Sequence, residues 1–148
     1  MDKMFCFQCQ QTAHNTGCEG NAGVCGKKCG TANAQDALTN ALIGLARAVN
    51  KKAPSEQSDR LVLKGLFTTI TNVNFHEDNV RKLTQEIQAE RNVIDASAEE
   101  YDIRNIWENH EDIRSLKSLI LFGLRGMAAY AYHALALGYT CLLYTSPS

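Results

Sequence analysis

Five of the six cysteines lie within the first 29 residues of the chain. They are Cys6, Cys9, Cys18, Cys25 and Cys29, and the sixth is Cys141. Two thiolates separated by two residues can bend round one metal centre, and two more can close it. No apolar export signal precedes them, and in such a chain grouped cysteines are more typical of metal binding or redox chemistry than of disulfides. The spacing Cys6-x2-Cys9-x8-Cys18-x6-Cys25 therefore predicts a metal centre.

Four thiolates suit either a zinc ion or an iron–sulfur cluster, so ligand softness does not decide between them. Structural zinc sites commonly use two tight cysteine pairs, whereas Cys18 and Cys25 form a wide pair here. A cluster is larger than one ion, and its sulfides accept hydrogen bonds from backbone N–H groups that glycine allows to approach. The spacing favours a cluster, with zinc and reactive or disulfide-bonded cysteines as alternatives. A Rieske-type centre needs two histidines, and this segment has only His14.

The chain divides into a Cys- and Gly-rich head, residues 4–30, and a remainder, residues 31–140, with helical periodicity. The head carries five of the ten glycines and few large apolar residues. Such a segment cannot build a core of its own, and a metal centre would hold it in place.

Apolar residues recur every three or four positions over four stretches of the remainder, which predicts four helices. The first begins near Asn33 as its N-cap and ends before Pro54. The others run over residues 58–73 and 77–93 and from Asn109 to Gly138, with a loop and a short helical turn at 94–107. No run alternates long enough to predict a strand, so the expected fold is an all-α helical bundle with an N-terminal metal loop.

The composition excludes several classes of partner. Apolar residues make up 45%, charged residues 21%, and the formal net charge is −1, which gives no basic field for nucleic acid or for a membrane surface. The most apolar stretch, 115–144, is interrupted by Lys117, Arg125 and His133, so no membrane span is predicted. Arg114, Lys117 and Arg125 are expected on a solvated or interdomain face. With no secretory signal visible, a cytoplasmic location is expected.

Residues 141–148 (CLLYTSPS) match a translation of a common sequencing-library adapter, whose codons spell them in full. We expect them to be an artefact, with the natural sequence interrupted after Thr140. Cys141 therefore receives no function.

Three groups of segments, in one order, resemble the hybrid-cluster proteins, also called the hydroxylamine reductase or prismane family. The first comprises residues 4–13 (MFCFQCQQTA), 15–18 (NTGC) and 23–27 (GVCGK). The second is 63–72 (LKGLFTTITN), and the third is 108–117 (ENHEDIRSLK) continuing through 123–131 (GLRGMAAYA). Several matches in one order are far more specific than one Cys-x-x-Cys motif, and they extend over nearly all of residues 4–140.

The resemblance implies that Cys6, Cys9, Cys18 and Cys25 bind the family's proximal cluster, in an all-α helical bundle with an N-terminal Cys/Gly-rich iron–sulfur loop. The x8 gap resembles members that carry [4Fe–4S] rather than [2Fe–2S]. Two departures stand out: the last gap is x6 where that type has x5, and Cys29 has no counterpart in the motif.

In this family a hybrid iron–sulfur–oxygen cluster reduces hydroxylamine to ammonia, and nitric oxide reduction has also been proposed. Its ligands belong to two α/β domains outside this chain. The resemblance therefore implies the electron-relay domain of a hydroxylamine reductase, inactive alone and with no catalytic residue of its own. Its partners would be those missing domains and an external electron donor, a redox protein or reductase. The competing hypotheses are a small zinc-stabilised helical binding module and a cluster-based redox sensor.

Overall fold

A small antiparallel ribbon and five helices make up the computed structural model, which describes residues 3–9, 11–70 and 74–139. The ribbon strands are β1 (Met4–Cys6) and β2 (Cys18–Gly20), with a short 3-10 turn at Ala13–Asn15 between them. The helices are α1 (Cys29–Lys51), α2 (Glu56–Thr68), α3 (Glu77–Asp95), α4 (Arg104–Trp107) and α5 (Glu111–Ala136). The all-α prediction is confirmed as the fold class, and the N-terminal Cys- and Gly-rich head contains the ribbon.

The core lies between α1, α2 and α3, and α5 packs against the outer side of α2. Apolar side chains at helical spacing meet there and are almost wholly buried. They are Ala34, Leu38, Ala41, Leu42, Leu45, Leu61, Val80, Leu83 and Ile87. Gly65 brings α2 close to α1, because a Cβ on it would lie 2.6 Å from Leu42 Cδ2.

The predicted N-cap of α1, Asn33, is wrong by five residues. The helix begins at Cys29 with Lys28 as its N-cap, which makes no side-chain cap hydrogen bond. The tertiary contact that replaces the cap is the Cys29 N–H, which donates to Asn21 O at 3.0 Å. Asn33 lies inside the helix, where its amide donates to Cys29 Sγ at 3.5 Å. Local capping preference was therefore overridden by the contact with the head.

The other boundaries follow local signals more closely. Ser55 and Ser58 form a reciprocal capping box that starts α2 two residues before the predicted position. His110 rather than Asn109 caps α5, since its ring accepts the Asp112 N–H at 3.4 Å. Gly138 stops α5 with a positive φ of 84°, as predicted. The predicted end of α2 at residue 73 is wrong, because the helix ends at Thr68 with Thr69 as its C-cap. Residues 71–73 lie outside the described residues, as do Thr140, Cys141 and the rest of the adapter-like segment.

The two strands were missed because each has only three residues, too few for a period of two to show. They pair with Met4 opposite Gly20 and Cys6 opposite Cys18. Trp107 of α4 contacts the rings of Phe5 and Phe7 edge-on, with centroid distances of 6.0 and 6.1 Å.

Much of the apolar surface of α5 is exposed. Leu116, Leu119, Ile120 and Met127 are each more than 60% exposed. Within the described ranges, α5 is the one helix long and apolar enough to cross a membrane by length and composition, with a mean hydropathy of 1.2. Helices in the cores of soluble proteins meet the same criteria, and α5 buries the charged Arg125 among protein groups. An apolar surface of this extent is typical of an interface.

Substitution Gly65→Ala should destabilise the chain by about 1–3 kcal/mol, because the added methyl overpacks the contact with Leu42. Gly123→Ala is the matched control: nothing lies within 4 Å of a Cβ there, and removing a helical glycine should stabilise by up to about 1 kcal/mol. Urea unfolding followed by circular dichroism measures both. A Gly65→Ala chain as stable as the parent would refute the close packing of α1 and α2.

The chain alone should self-associate through α5, because its apolar surface has no cover in the described residues. Substituting Leu116 and Leu119 together by Glu should shift sedimentation velocity towards the monomer. Val93→Glu serves as the control, since Val93 is 82% exposed on a different helix and should leave association unchanged. A monomeric parent chain would count against this expectation.

Candidate functional site

The ribbon places two of the predicted ligands face to face. Cys6 and Cys18 are partners across the antiparallel pair, so their side chains stand on the same face of the ribbon. Both are largely buried, at 9% and 7% exposure. Phe5 and Phe7 point to the opposite face, towards Trp107.

Gly23 brings a third ligand towards them. A Cβ on Gly23 would lie 3.6 Å from Cys25 Sγ and 3.7 Å from Cys18 Sγ. The two sulfurs are therefore at most about 7.3 Å apart, next to one backbone position. The wide Cys18–Cys25 spacing in sequence thus closes into a short separation in space.

Cys9 lies at the edge of the site. It is half-buried, and its carbonyl accepts the Thr12 N–H at 3.3 Å. It also lines a cleft of about 670 Å³ between the head and α5, beside Arg125 and His133. Among residues 3–9, 11–70 and 74–139, no three or more His, Cys, Asp or Glu side chains form a group that could hold a metal ion. The structure pairs Cys6 with Cys18 and places the Cys25 sulfur within about 7.3 Å of the Cys18 sulfur, while Cys9 lines the cleft.

Cys29 belongs to the same small apolar cluster as Cys6 and Cys18. It occupies the first position of α1, and its Sγ accepts the Asn33 amide. Sequence reasoning assigned it no role, and its position is that of a packing residue beneath the ribbon.

Hydrogen-bond donors surround the Cys18 sulfur. Burial alone would raise the pKa of this thiol, but the surrounding groups outweigh burial and hold its pKa below the ordinary value. These groups are the Val24 N–H, the Ala13 N–H, the Thr12 hydroxyl and the Lys27 ammonium. The Ala13 nitrogen lies 3.4 Å from Cys18 Sγ, and Thr12 Oγ1 lies 3.8 Å from it. The environment of Cys18 therefore favours the thiolate, which is the form that binds metals.

Cys6 lies in a more apolar environment. Burial raises the pKa of its thiol above the ordinary value, while the Lys27 charge and the Gln8 N–H act in the opposite direction. The Lys27 charge thus lowers the pKa of both facing thiols, although the net shift is upward at Cys6 and downward at Cys18.

A polar network links the head to the helices behind it. Lys27 is 1% exposed, and its ammonium donates to Gln8 Oε1 at 3.3 Å and to Gln35 Oε1. The Gln8 amide donates to Asp36 Oδ1 at 3.1 Å. The Gln35 amide in turn donates to Asn74 O at 3.1 Å, beyond the end of α2. The head is therefore joined to α1, and through α1 to the segment that precedes α3.

Two further charges face this network. Asp36 keeps some exposure, yet its carboxyl is packed among protein groups, and desolvation raises its pKa to about 6 despite the Gln8 hydrogen bond and the Lys27 and Arg125 charges. Arg125 is 7% exposed and donates from Nε to Thr69 Oγ1 at 3.0 Å. Burial lowers the pKa of this guanidinium, against the opposing effects of Asp36 and Cys6.

The expectation that Arg125 lies on a solvated or interdomain face is wrong. Its position on one helix with Arg114 and Lys117 suggested one polar stripe, but Arg125 points inward, where it donates to Thr69 Oγ1 and the Asp36 charge acts on it. Gln8, Lys27 and Gln35 were also missed as site residues. Nothing local distinguishes Lys27, which is buried, from its exposed neighbour Lys28. The two lysines differ only in the folded structure, where the Lys27 side chain bonds to Gln8 and Gln35.

The residues present fit a thiolate-bound metal centre of negative charge. The Ala13 N–H points at the Cys18 sulfur, and the charge of the buried Lys27 ammonium acts on Cys6 and Cys18. Such groups stabilise negative charge on ligated sulfur.

Comparison with known proteins gives one consistent result. A family model described as the Prismane/CO dehydrogenase family matches residues 4–141. A hydroxylamine reductase of Porphyromonas gingivalis is 40% identical over 167 residues, an alignment that includes 93% of this chain and 30% of that protein. Hydroxylamine reductases of Caldanaerobacter subterraneus and Desulfovibrio desulfuricans are 39% and 40% identical and include 93% and 91% of this chain. The chain spans about 30% of the length of these relatives.

Asp36→Asn should stabilise the chain relative to the parent increasingly as the pH rises from about 4 to 6. The raised pKa means that ionisation of Asp36 costs folding free energy above pH 4, and the neutral amide avoids that cost. The gain at pH 7 should reach about 1–3 kcal/mol. Urea unfolding across this pH range measures it.

Asp59→Asn is the control for this measurement. Asp59 is exposed in the first turn of α2, where its negative charge interacts favourably with the positive end of the helix dipole. Its loss should therefore destabilise by up to about 1 kcal/mol at neutral pH. If Asp36→Asn followed the same direction as Asp59→Asn, the desolvation of Asp36 would be refuted.

Proposed function

The chain belongs to the Prismane/CO dehydrogenase family, and from that premise we propose that its head binds a [4Fe–4S] cluster and relays electrons in a hydroxylamine reductase. Relatives that bear that enzyme name are about 40% identical to the chain. Iron–sulfur chemistry is implied by the family, whereas the cluster type and the relay role are the proposal. The observation that carries it is the pair Cys6 and Cys18, which face each other across the ribbon, with donors around Cys18 that favour its thiolate.

The ligands proposed are Cys6, Cys9, Cys18 and Cys25. When bound, the cluster would take up and return one electron at a time. The four cysteines would bind the cluster as thiolates. The N–H groups of Ala13 and Val24 donate to the Cys18 sulfur and would stabilise its negative charge. No residue of this chain is proposed to act on the substrate.

Electrons would come from an external donor, a redox protein or reductase, and pass to the α/β domains that lie outside this chain. Those domains would hold the hybrid iron–sulfur–oxygen cluster and reduce hydroxylamine to ammonia, with nitric oxide as the second candidate substrate. The exposed apolar surface of α5 would pack against the remainder of the protein. The thiols need a reducing compartment, so we propose a cytoplasmic location, with no nucleic acid or membrane as partner.

Anaerobically purified chain should contain about four irons and four sulfides and give an EPR signal after reduction by dithionite. Cys9→Ala should lose the signal and most of the iron, because three thiolates cannot close the site. Cys29→Ala is the matched control, since Cys29 lies in the same apolar cluster as Cys6 and Cys18 but outside the ligand set, and it should retain both.

One zinc per chain with no sulfide would contradict the proposal and favour the zinc-stabilised binding module. Iron in the ratio of two per chain would contradict only the cluster type. In the intact protein, Cys25→Ser should abolish most hydroxylamine reduction driven by an external one-electron donor. Undiminished reduction in that variant would contradict the relay role.

A further inference from the structure

Lys27 is a buried cation with no anionic hydrogen-bond partner in the part of the chain that the structure describes. It is 1% exposed, and its ammonium donates to two neutral amide oxygens, those of Gln8 and Gln35. None of the ion pairs among the described residues includes it. A buried charge of this kind is strongly unfavourable unless an opposite charge lies nearby.

The charges around Lys27 do not balance without the cysteines. Two buried cations, Lys27 and Arg125, face one carboxylate, Asp36, which Gln8 connects to the Lys27 ammonium. Lys27 belongs to the turn that holds Cys25, because its carbonyl accepts the Gly23 N–H, and its ammonium bonds to Gln8, two residues from Cys6. The cysteine sulfurs next to this turn can therefore supply further negative charge when they are thiolates.

The backbone of the head directs Lys27 inward. Gly26 adopts a positive φ of 82°, and the Lys27 carbonyl accepts the Gly23 N–H at 2.8 Å. Lys28 next to it pairs with Ala22 and remains exposed. The same turn that seats Cys25 beside Gly23 therefore fixes the Lys27 side chain towards Gln8 and Gln35.

We propose that Lys27 is the counter-cation of the metal centre and that it raises the reduction potential of an iron–sulfur cluster bound there. This inference rests on the proposed function. Reduction adds one electron from a one-electron donor to the centre, with no bond made or broken and no proton required. The added negative charge is then stabilised by a fixed ammonium that forms no ion pair among the described residues. Lys27 acts through the cluster and is a positioning residue, not a catalytic one.

The test is a redox titration of the complete chain, loaded anaerobically, with dithionite as reductant and with iron and sulfide assayed in every sample. Lys27→Met, which keeps the length and loses the charge, should shift the midpoint potential to more negative values at pH 8. Lys27→Arg should stay near the parent. Asp36→Asn, which removes a negative charge from the same network, should shift the potential to more positive values.

Opposite shifts in the two neutral variants are the signature of charge, because structural damage to the network would not reverse sign with the charge removed. A Lys27→Met potential equal to or above that of the parent would overturn the proposal. If Lys27→Met fails to retain iron, a negative or absent shift in Asp36→Asn would overturn it instead. A parent chain without iron and sulfide would refute the proposed function itself, which separates the two failures.

Discussion

The contact between the Lys27 ammonium and the side chains of Gln8 and Gln35 holds the head against the first helix. The head is rich in glycine and contributes a core of only a few side chains around Met4 and Cys6. Its conformation therefore depends on polar contacts and, in the proposed function, on the metal centre itself. Both depend on the same charge, since the cation that ties the head to α1 also acts on the sulfurs. A substitution that removes the Lys27 charge is therefore expected to affect both the folding of the head and the metal centre proposed there.

The parts of this site that sequence reasoning predicted are those with short-range signals. The apolar stripes of α3 and α5 predicted helices that the structure contains, whereas the metal centre predicted from the cysteine spacing stays a prediction. The parts that it missed depend on contacts between distant segments. The start of α1 is determined by the hydrogen bond from Cys29 to Asn21, and the burial of Arg125 by Thr69, 56 positions earlier. Three-residue strands carry no readable period, so the pairing of Cys6 with Cys18 became visible only in the fold.

The chemistry of the chain is divided between its two ends. The head offers thiols, N–H donors and a buried cation. These groups suit a metal centre that gains or loses an electron while no bond is made or broken. The far end, α5, offers an apolar surface and one inward arginine that reaches the polar network. The cleft beside Cys9 lies between these two ends. A chain that spans about 30% of its relatives would thus have its redox centre and its apolar interface on adjoining surfaces.

The central claim is that the four cysteines Cys6, Cys9, Cys18 and Cys25 assemble a cluster rather than bind a single ion. Native mass spectrometry of the anaerobically purified chain tests this most directly, because it counts metal and sulfide on the same molecule. The expected species is heavier than the apo chain by about four irons and four sulfides, and replacement of any one of the four cysteines should return the mass to that of the apo chain. A species heavier by one zinc alone, with no sulfide, would show that the four cysteines bind a single ion.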